Sequence, residues 1–430
     1  MTTTLPGHED DASAAPDEPE LLLAPREGVP PVAEDAAALA RIVARFAAGT
    51  GPVAVDAERA SGYRYSQRAY LVQLRREGSG TALIDPIGCP DLSSLSAVLQ
   101  GDEWVLHAAS QDLACLAEVG MVPPRIFDTE LGGRLAGYDR VGLGAMVENL
   151  LGLRLEKGHS AADWSTRPLP DSWLVYAALD VEVLVELRDV IESELRRQGK
   201  LAWAHEEFEA TLRAPAAAPR TDPWRRTSGI HRLRTRRQLA GVRALWEARD
   251  GMARRRDTAP GRILPDAAIV SAVTAAPTSP AELLELPVFG GRATRRHVET
   301  WFAALTSAAQ LPEGELPLPV PSGDGPPPPN RWAERDPIAA RRLARVRAVV
   351  TALAERHSMP PENLVQPDAV RRLAWQPPVE PTEHAVAEAL SRAGARRWQV
   401  ALVAAPLAEV LPDPPPPSPL PDPAPAPAEP

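Results

Sequence analysis

The chain has 430 residues, 48 prolines, two cysteines and a formal net charge of -10, and at roughly 100 to 200 residues per domain it should hold two or three domains. No basic start leads into an apolar stretch and no run approaches the ~18 apolar residues of a membrane span, which argues against secretion and insertion and for a cytoplasmic protein. Cys89 and Cys115 lack metal-ligand spacing and are expected as small buried thiols, not as a disulfide.

Composition marks the ends. Residues 1–30, with "LPGHEDDASAAPDEPE", are expected as a disordered acidic tail, and 412–430, with "PDPPPPSPLPDPAPAPAEP", as a disordered proline-rich one. Charge divides the rest: residues 51–200 hold 15 Lys and Arg against 22 Asp and Glu, whereas 221–305 hold 15 against 8. An acidic region suits metal binding and a basic one suits a phosphate backbone, although either also serves as a solvated helix face.

In chain order, "EDAAALARIVARFAAGTG" has helical periodicity and stops at glycine. The following "PVAVDAERASGYRYSQRAYLVQLRREGSGTALIDP" carries short β-branched runs parted by turns, a strand and hairpin pattern. "EWVLHAA" reads as a further strand feeding the helix "SQDLACLAEVG". From there to about residue 200 the pattern is mostly helical, broken by "HSAADWSTRPLPDS". Strands followed by helices imply an α/β sheet layered by helices over residues 31–215. Two helical units follow, at 225–308 and 336–411, separated by a proline-rich spacer at 309–335. The first opens with a basic amphipathic helix whose Leu239, Val242, Leu245 and Trp246 form an apolar stripe. "ILPDAAIVSAV" and "LVQPDAVRRLA" echo one another, which suggests an internal duplication.

Four carboxylates and a phenol carry the chemistry. In "VAVDAE", alternation puts Val53 and Val55 on one face of a strand and Asp56 with Glu58 on the other, about 6.5 to 7 Å apart. Such a pair can converge on one cation, or can be an exposed edge decoration. Asp112, in "HAASQD", falls in the first turn of a helix entered from a strand, where it can also serve the helix dipole. In "YAALD", Tyr176 and Asp180 are four residues apart and share a helix face.

The order Asp56 and Glu58, then Asp112, then Tyr176 with Asp180 resembles the three motifs of DEDD-type 3'-5' exonucleases of the tyrosine subclass. "YLVQL" and "SAADWSTRPLPDSWLVYAALD" resemble the ribonuclease D family in particular, and the basic unit with "GRILPD" is similar to its helicase-and-RNase-D C-terminal (HRDC) domain. Ala57 departs from the family, which commonly has threonine there; that side chain would face away from the metals. The resemblance implies an RNase H-like α/β exonuclease domain (31–215), an all-α HRDC domain (225–308) and a second HRDC-like helical domain (336–411). It also implies two divalent ions, Mg²⁺ or Mn²⁺, with Asp56 bridging them, Glu58 and Asp180 on the ion that activates water, and Asp112 on the second. Tyr176, with an ordinary pKa near 10, is assigned to orienting the attacking water.

Further candidates for contacting nucleic acid are His107, Gln73, Trp164 and Arg167 near the catalytic motifs, and Arg232, Arg234, Arg236 and Arg237 in the basic unit. Each has a structural alternative: a core histidine, a residue serving the sheet, a loop anchor, a wet helix face. The expected partner is single-stranded RNA with a free 3' end, including tRNA precursors, because a duplex must fray before its last nucleotide reaches a buried metal pair. The alternatives are a 3'-5' DNA exonuclease and a non-catalytic RNA-binding scaffold. Retention of all four carboxylates and the tyrosine argues against the scaffold.

Overall fold

The computed structural model describes residues 18–156, 158–159, 161–215, 220–319 and 325–412. The chain divides into two compact units, the larger holding the sheet and the first helical group, the smaller holding the C-terminal helices.

The larger unit begins with two short strands, β1 (Glu20–Leu22) and β2 (Val32–Ala33), and helix α1 (Ala36–Ala47). Asp35 starts α1 by accepting the Ala38 N–H at 2.7 Å. Strands β3 (Thr50–Arg59), β4 (Ala69–Glu77) and β5 (Gly80–Ile84) form an antiparallel meander. They are followed by α2 (Ser93–Val98), β6 (Trp104–Leu106), α3 (Leu113–Glu118), β7 (Ile126–Asp128), α4 (Thr129–Ala136), α5 (Leu143–Leu151) and β8 (Leu153–Leu155). Helices α6 (Asp171–Glu182), α7 (Leu184–Arg197) and α8 (Leu201–Leu212) complete the domain.

The main sheet is mixed, in the order β2-β5-β4-β3-β6-β7, with β6 and β7 added parallel to β3. That order makes β3 central. Its Val53, Ala54 and Val55 are fully buried, so the strand is covered on both faces here. Helix α6 lies across β3, β4 and β5, and α7 across β3 and β6. Ala54 and Val105 pack there on Val181 and Leu184.

Three sequence expectations change here. The tail expected at 1–30 is not wholly unstructured, since Glu20–Leu22 pair in parallel with Leu153–Leu155. Strands β7 and β8 lie in the stretch expected to be mostly helical; each has three residues, too few to show a period. The 309–335 segment is more than a spacer. Leu316 is buried against Ala240 and Ala308, and Trp332 is fully buried.

The first helical group comprises α9 (Arg236–Arg256), α10 (Pro260–Ile263), α11 (Asp266–Ala275), α12 (Pro280–Glu285), α13 (Arg292–Arg295) and α14 (Val298–Gln310). A Thr235–Gln238 capping box starts α9. The stripe read from sequence forms the core: Leu239, Val242 and Leu245 are buried with Ile269, Phe289 and Trp301, and Trp246 packs beside them. This group grips the β3–β4 loop. Ser66 N–H donates to Asp257 at 2.8 Å, Tyr65 Oη to Asp250 at 3.1 Å, and Arg262 Nε to the Gly62 carbonyl at 2.9 Å.

The smaller unit contains α15 (Trp332–Arg335), α16 (Pro337–Arg356), α17 (Pro361–Leu364), α18 (Pro367–Trp375), α19 (Glu383–Arg392) and α20 (Arg397–Val410). The succession of a long helix, a four-residue helix opened by proline and a helix opened by Pro-Asp occurs in both groups. Among the described residues no helix is long and apolar enough to cross a membrane. The proline-rich residues 413–430 lie outside the described residues.

Candidate active site

Three elements bring the carboxylates together. Asp56 and Glu58 project from central β3, and Asp180 from α6, which crosses that strand. One carboxylate oxygen from each lies within 4.8 Å of the others. Asp56 and Glu58 are therefore not an edge decoration. Asp112 borders the same cleft, a space of about 580 Å³ also lined by His107, Gln111 and Tyr176. Asp112 is the N-cap residue of α3, yet its side chain makes no capping bond. It faces Arg59, with Nη2 and Oδ1 3.7 Å apart.

The turn that presents Asp112 is built by a residue the sequence reading passed over. Ala108 has φ +60°, a left-handed conformation costly for a residue with a Cβ. Buried Asp128, at the end of β7, accepts N–H bonds from Ala108 (3.1 Å), Ala109 (2.9 Å), Glu130 (3.0 Å) and Leu131 (3.1 Å). One carboxylate thus ties the strand-to-helix turn to the start of α4. A carboxylate ending a β-strand before "TELGG" was the available signal.

Burial and mutual repulsion set the electrostatics. Burial chiefly, and then the charges of Asp56, Asp180 and Asp112, push Glu58 up to about 10. Asp112 is raised to about 8 by burial and then by Asp56. Asp56 rises through burial, and Asp180 lies well above the ordinary carboxylate range through burial and then Asp56. Arg59 draws Asp56, Glu58 and Asp112 back toward the charged form. One guanidinium does not neutralise four acids. The donor set is all oxygen, the chemistry that suits hard divalent cations such as Mg²⁺ or Mn²⁺. Asp56, Glu58 and Asp180 fit one such ion, with Asp112 beside them in the cleft.

Tyr176 hydrogen-bonds Asp180, and burial first, then the Asp180 and Glu58 charges, raises its phenol above the ordinary range. It stays protonated at neutral pH, so it can donate a hydrogen bond but cannot act as a base. His107 lines the cleft with Nδ1 2.9 Å from Thr129 Oγ1.

Several other candidates are committed elsewhere. Gln73 is fully buried and donates from Nε2 to Asp56 Oδ2 at 3.0 Å, so it positions a carboxylate and does not meet a nucleotide. Trp164 is fully buried against Trp173 and Tyr176, and anchors its loop through Nε1 to the His159 carbonyl. Arg167 pairs with Asp85 at 2.7 and 2.8 Å and donates to the Tyr70, Trp164 and Thr166 carbonyls. Arg236 bonds the carbonyls of Glu313, Leu316 and Pro317, and Arg237 those of Ala308, Ala309 and Leu311. These two arginines fold the segment after α14 onto α9. Arg232 and Arg234 are exposed. Both cysteines are buried free thiols, and burial first, then Asp112, pushes Cys115 up to about 12.

Family models match the chain as 3'-5' exonuclease over residues 31–196, HRDC domain over 238–305 and 3' to 5' exonuclease C-terminal domain over 325–411. The last covers the unit expected to be a second HRDC-like domain and describes it separately. The chain is 33% identical to ribonuclease D of Escherichia coli over 62% of its own length and 72% of that protein's. The crystal structure of Escherichia coli RNase D, described as an exoribonuclease involved in structured RNA processing, matches with a TM-score of 0.64 at 28% identity, over 89% of this chain and 98% of that one. A crystal structure of a protein from Bifidobacterium adolescentis matches with a TM-score of 0.84 at 38% identity, over 92% of this chain and 100% of that one.

Proposed function

The chain belongs to the ribonuclease D family, and from that premise we propose that it is a divalent-metal-dependent 3'-5' exoribonuclease releasing nucleoside 5'-monophosphates from RNA 3' ends. Its substrates would be single-stranded 3' extensions on stable RNA, tRNA precursors among them, in the cytoplasm. The observation that carries this reading is the convergence of Asp56, Glu58 and Asp180 to within 4.8 Å, with Asp112 on the same cleft.

Asp56 would hold the metal and is steadied by the Gln73 amide, which donates to its Oδ2. Glu58 and Asp180 would complete the first ion's ligands, and Asp112 would serve the second. A pair of divalent ions supplies a nucleophilic water near neutral pH and charge stabilisation for the leaving 3'-oxygen. Tyr176, protonated and one helical turn before Asp180, orients the attacking water by hydrogen bond. His107, on the cleft wall, would meet the terminal nucleotide.

The test is digestion of matched 5'-labelled single-stranded RNA and DNA with Mg²⁺, Mn²⁺ or EDTA, comparing wild type with Asp56→Asn and Asp180→Asn. A metal-dependent ladder shortening from the 3' end, faster on RNA and absent in both variants, is expected. Faster DNA digestion would turn the assignment to a DNA exonuclease. Unchanged cleavage in either variant would remove the metal site, and binding without cleavage would leave a scaffold.

A further inference from the structure

Arg59, on the wall of the cleft, has hydrogen-bonding capacity that is largely unspent. Arg59 lines the cleft with its side chain 24% exposed, and both its polar contacts come from a single nitrogen. Nη2 lies 3.7 Å from Asp112 Oδ1 and 3.5 Å from Gln111 Oε1, both longer than the roughly 2.7 to 3.2 Å of a normal N–H···O bond. A guanidinium has five N–H donors. Arg167, by contrast, has all three nitrogens bonded to protein. Of the other arginines bordering the cleft, Arg154 is paired with Glu148 at 3.1 and 3.3 Å, and Arg140 is exposed.

The pairing of β3 with β4 is irregular where Arg59 stands. Strict alternation would send Arg59, with Ala57, to the face opposite Asp56 and Glu58. The pairing of β3 with β4 slips between Glu58 and Arg59, since Glu58 opposes Leu71 and Arg59 opposes Ala69. The extra residue is Tyr70 on β4, and bulges of this kind recur next to active sites. Here the final residue of the strand reaches the cleft beside the carboxylates it follows.

An RNA 3' end brings a negatively charged phosphodiester toward four acids, and cleavage adds charge to its oxygens. We propose that Arg59 contacts substrate, donating paired N–H bonds to the non-bridging oxygens of the 3'-terminal phosphodiester. The planar fork of a guanidinium matches two phosphate oxygens, which an ammonium does not. The weak contact with Asp112 holds the guanidinium at the edge of the site until phosphate takes its place. This assignment rests on the exonuclease reading and extends it to a residue outside the carboxylate motifs.

The experiment compares binding of two RNAs, in Ca²⁺ to hold substrate without turnover, by wild type, Arg59→Gln and Arg59→Lys. One RNA has a normal 3'-terminal linkage and the other an uncharged methylphosphonate there. Wild type should prefer the charged linkage, and Arg59→Gln should lose about 10- to 100-fold of that preference, the value of a hydrogen bond to a charged group. Arg59→Lys should keep part of it, and carries the test if the glutamine variant fails to fold. An undiminished preference in Arg59→Gln, even with weaker Ca²⁺ binding or slower cleavage, would overturn the proposal and leave Arg59 holding Asp112. Wild type that neither binds nor shortens RNA would overturn the exonuclease reading itself, and this assignment with it.

Discussion

Replacing Arg167 with alanine should destabilise the exonuclease domain without removing a substrate contact. Arg167 forms two bonds with buried Asp85, Nε to Oδ2 at 2.7 Å and Nη2 to Oδ1 at 2.8 Å, and three more with backbone carbonyls. Alanine leaves the Asp85 side chain, 8% exposed, with the Ile87 N–H at 2.8 Å as its remaining hydrogen-bond partner. Breaking a buried pair from one side costs about 3 to 5 kcal/mol. Since 26% of the Arg167 side chain sees water, the lower end, about 3 kcal/mol, applies. In urea, with a slope of about 3 kcal/mol per molar, the midpoint should fall by about 1 M. Tryptophan fluorescence would follow it, because Trp164 and Trp173 pack beside the released loop. Lysine should rescue little, as it cannot reproduce the bidentate geometry. An unchanged midpoint, with weaker RNA binding and a salt slope reduced by about one ion, would show that Arg167 touches phosphate after all.

Asp128→Ala should destabilise by about 2 to 4 kcal/mol, as two buried and two part-buried N–H groups lose their acceptor and the left-handed turn at Ala108 loses its tie. Thermal unfolding reads the loss, and RNA cleavage should fall with it because Asp112 follows that turn. Without metal, Asp112 and Glu58 retain protons that they would release on unfolding, since their folded pKa values are raised to about 8 and about 10. The stability that these two groups contribute to EDTA-treated protein should therefore be fully present below about pH 4 and decline as pH rises toward 8 to 10. Mn²⁺ should reverse that decline and release protons on binding, measurable by calorimetry in buffers of different ionisation enthalpy; a melting temperature in EDTA that rises from pH 5 to 9 would contradict it. Asp257→Ala should cost about 1 to 3 kcal/mol by removing the acceptor of the Ser66 N–H and leaving alanine at φ +44°. The Ser66 amide should then exchange faster with solvent, and unchanged protection would show that the helical group does not hold the loop.

The elements with a clear period were legible before any coordinates. Alternation in "VAVDAE" marked the catalytic strand, and the spacing of Tyr176 and Asp180 marked a shared helix face. The stripe Leu239, Val242 and Leu245 does face the core of the first helical group. β1, β2, β7 and β8, of two or three residues each, are too short to carry a period and were not read as strands, whereas β6, equally short, was read within "EWVLHAA". The pairing of β1 with β8 joins residues more than 130 positions apart, and nothing local to either segment announces it.

Side-chain commitments divided in the same way. Carboxylate identity and order pointed to the cleft, because a cation site needs several oxygen donors and local geometry already clusters two of them. Arginines were not readable from sequence. The same side chain can saturate buried carbonyls, as Arg167, Arg236 and Arg237 do, or lie beside a cleft with donors to spare, as Arg59 does. Which outcome holds depends on partners brought from 52 to 97 residues away, Gln111 to Arg59 at the near end and Tyr70 to Arg167 at the far end. Short-range chemistry was determined by the sequence itself. The choice between a buried clamp and a group facing substrate was decided by tertiary structure, because a guanidinium bonds whichever acceptors the fold places within its reach.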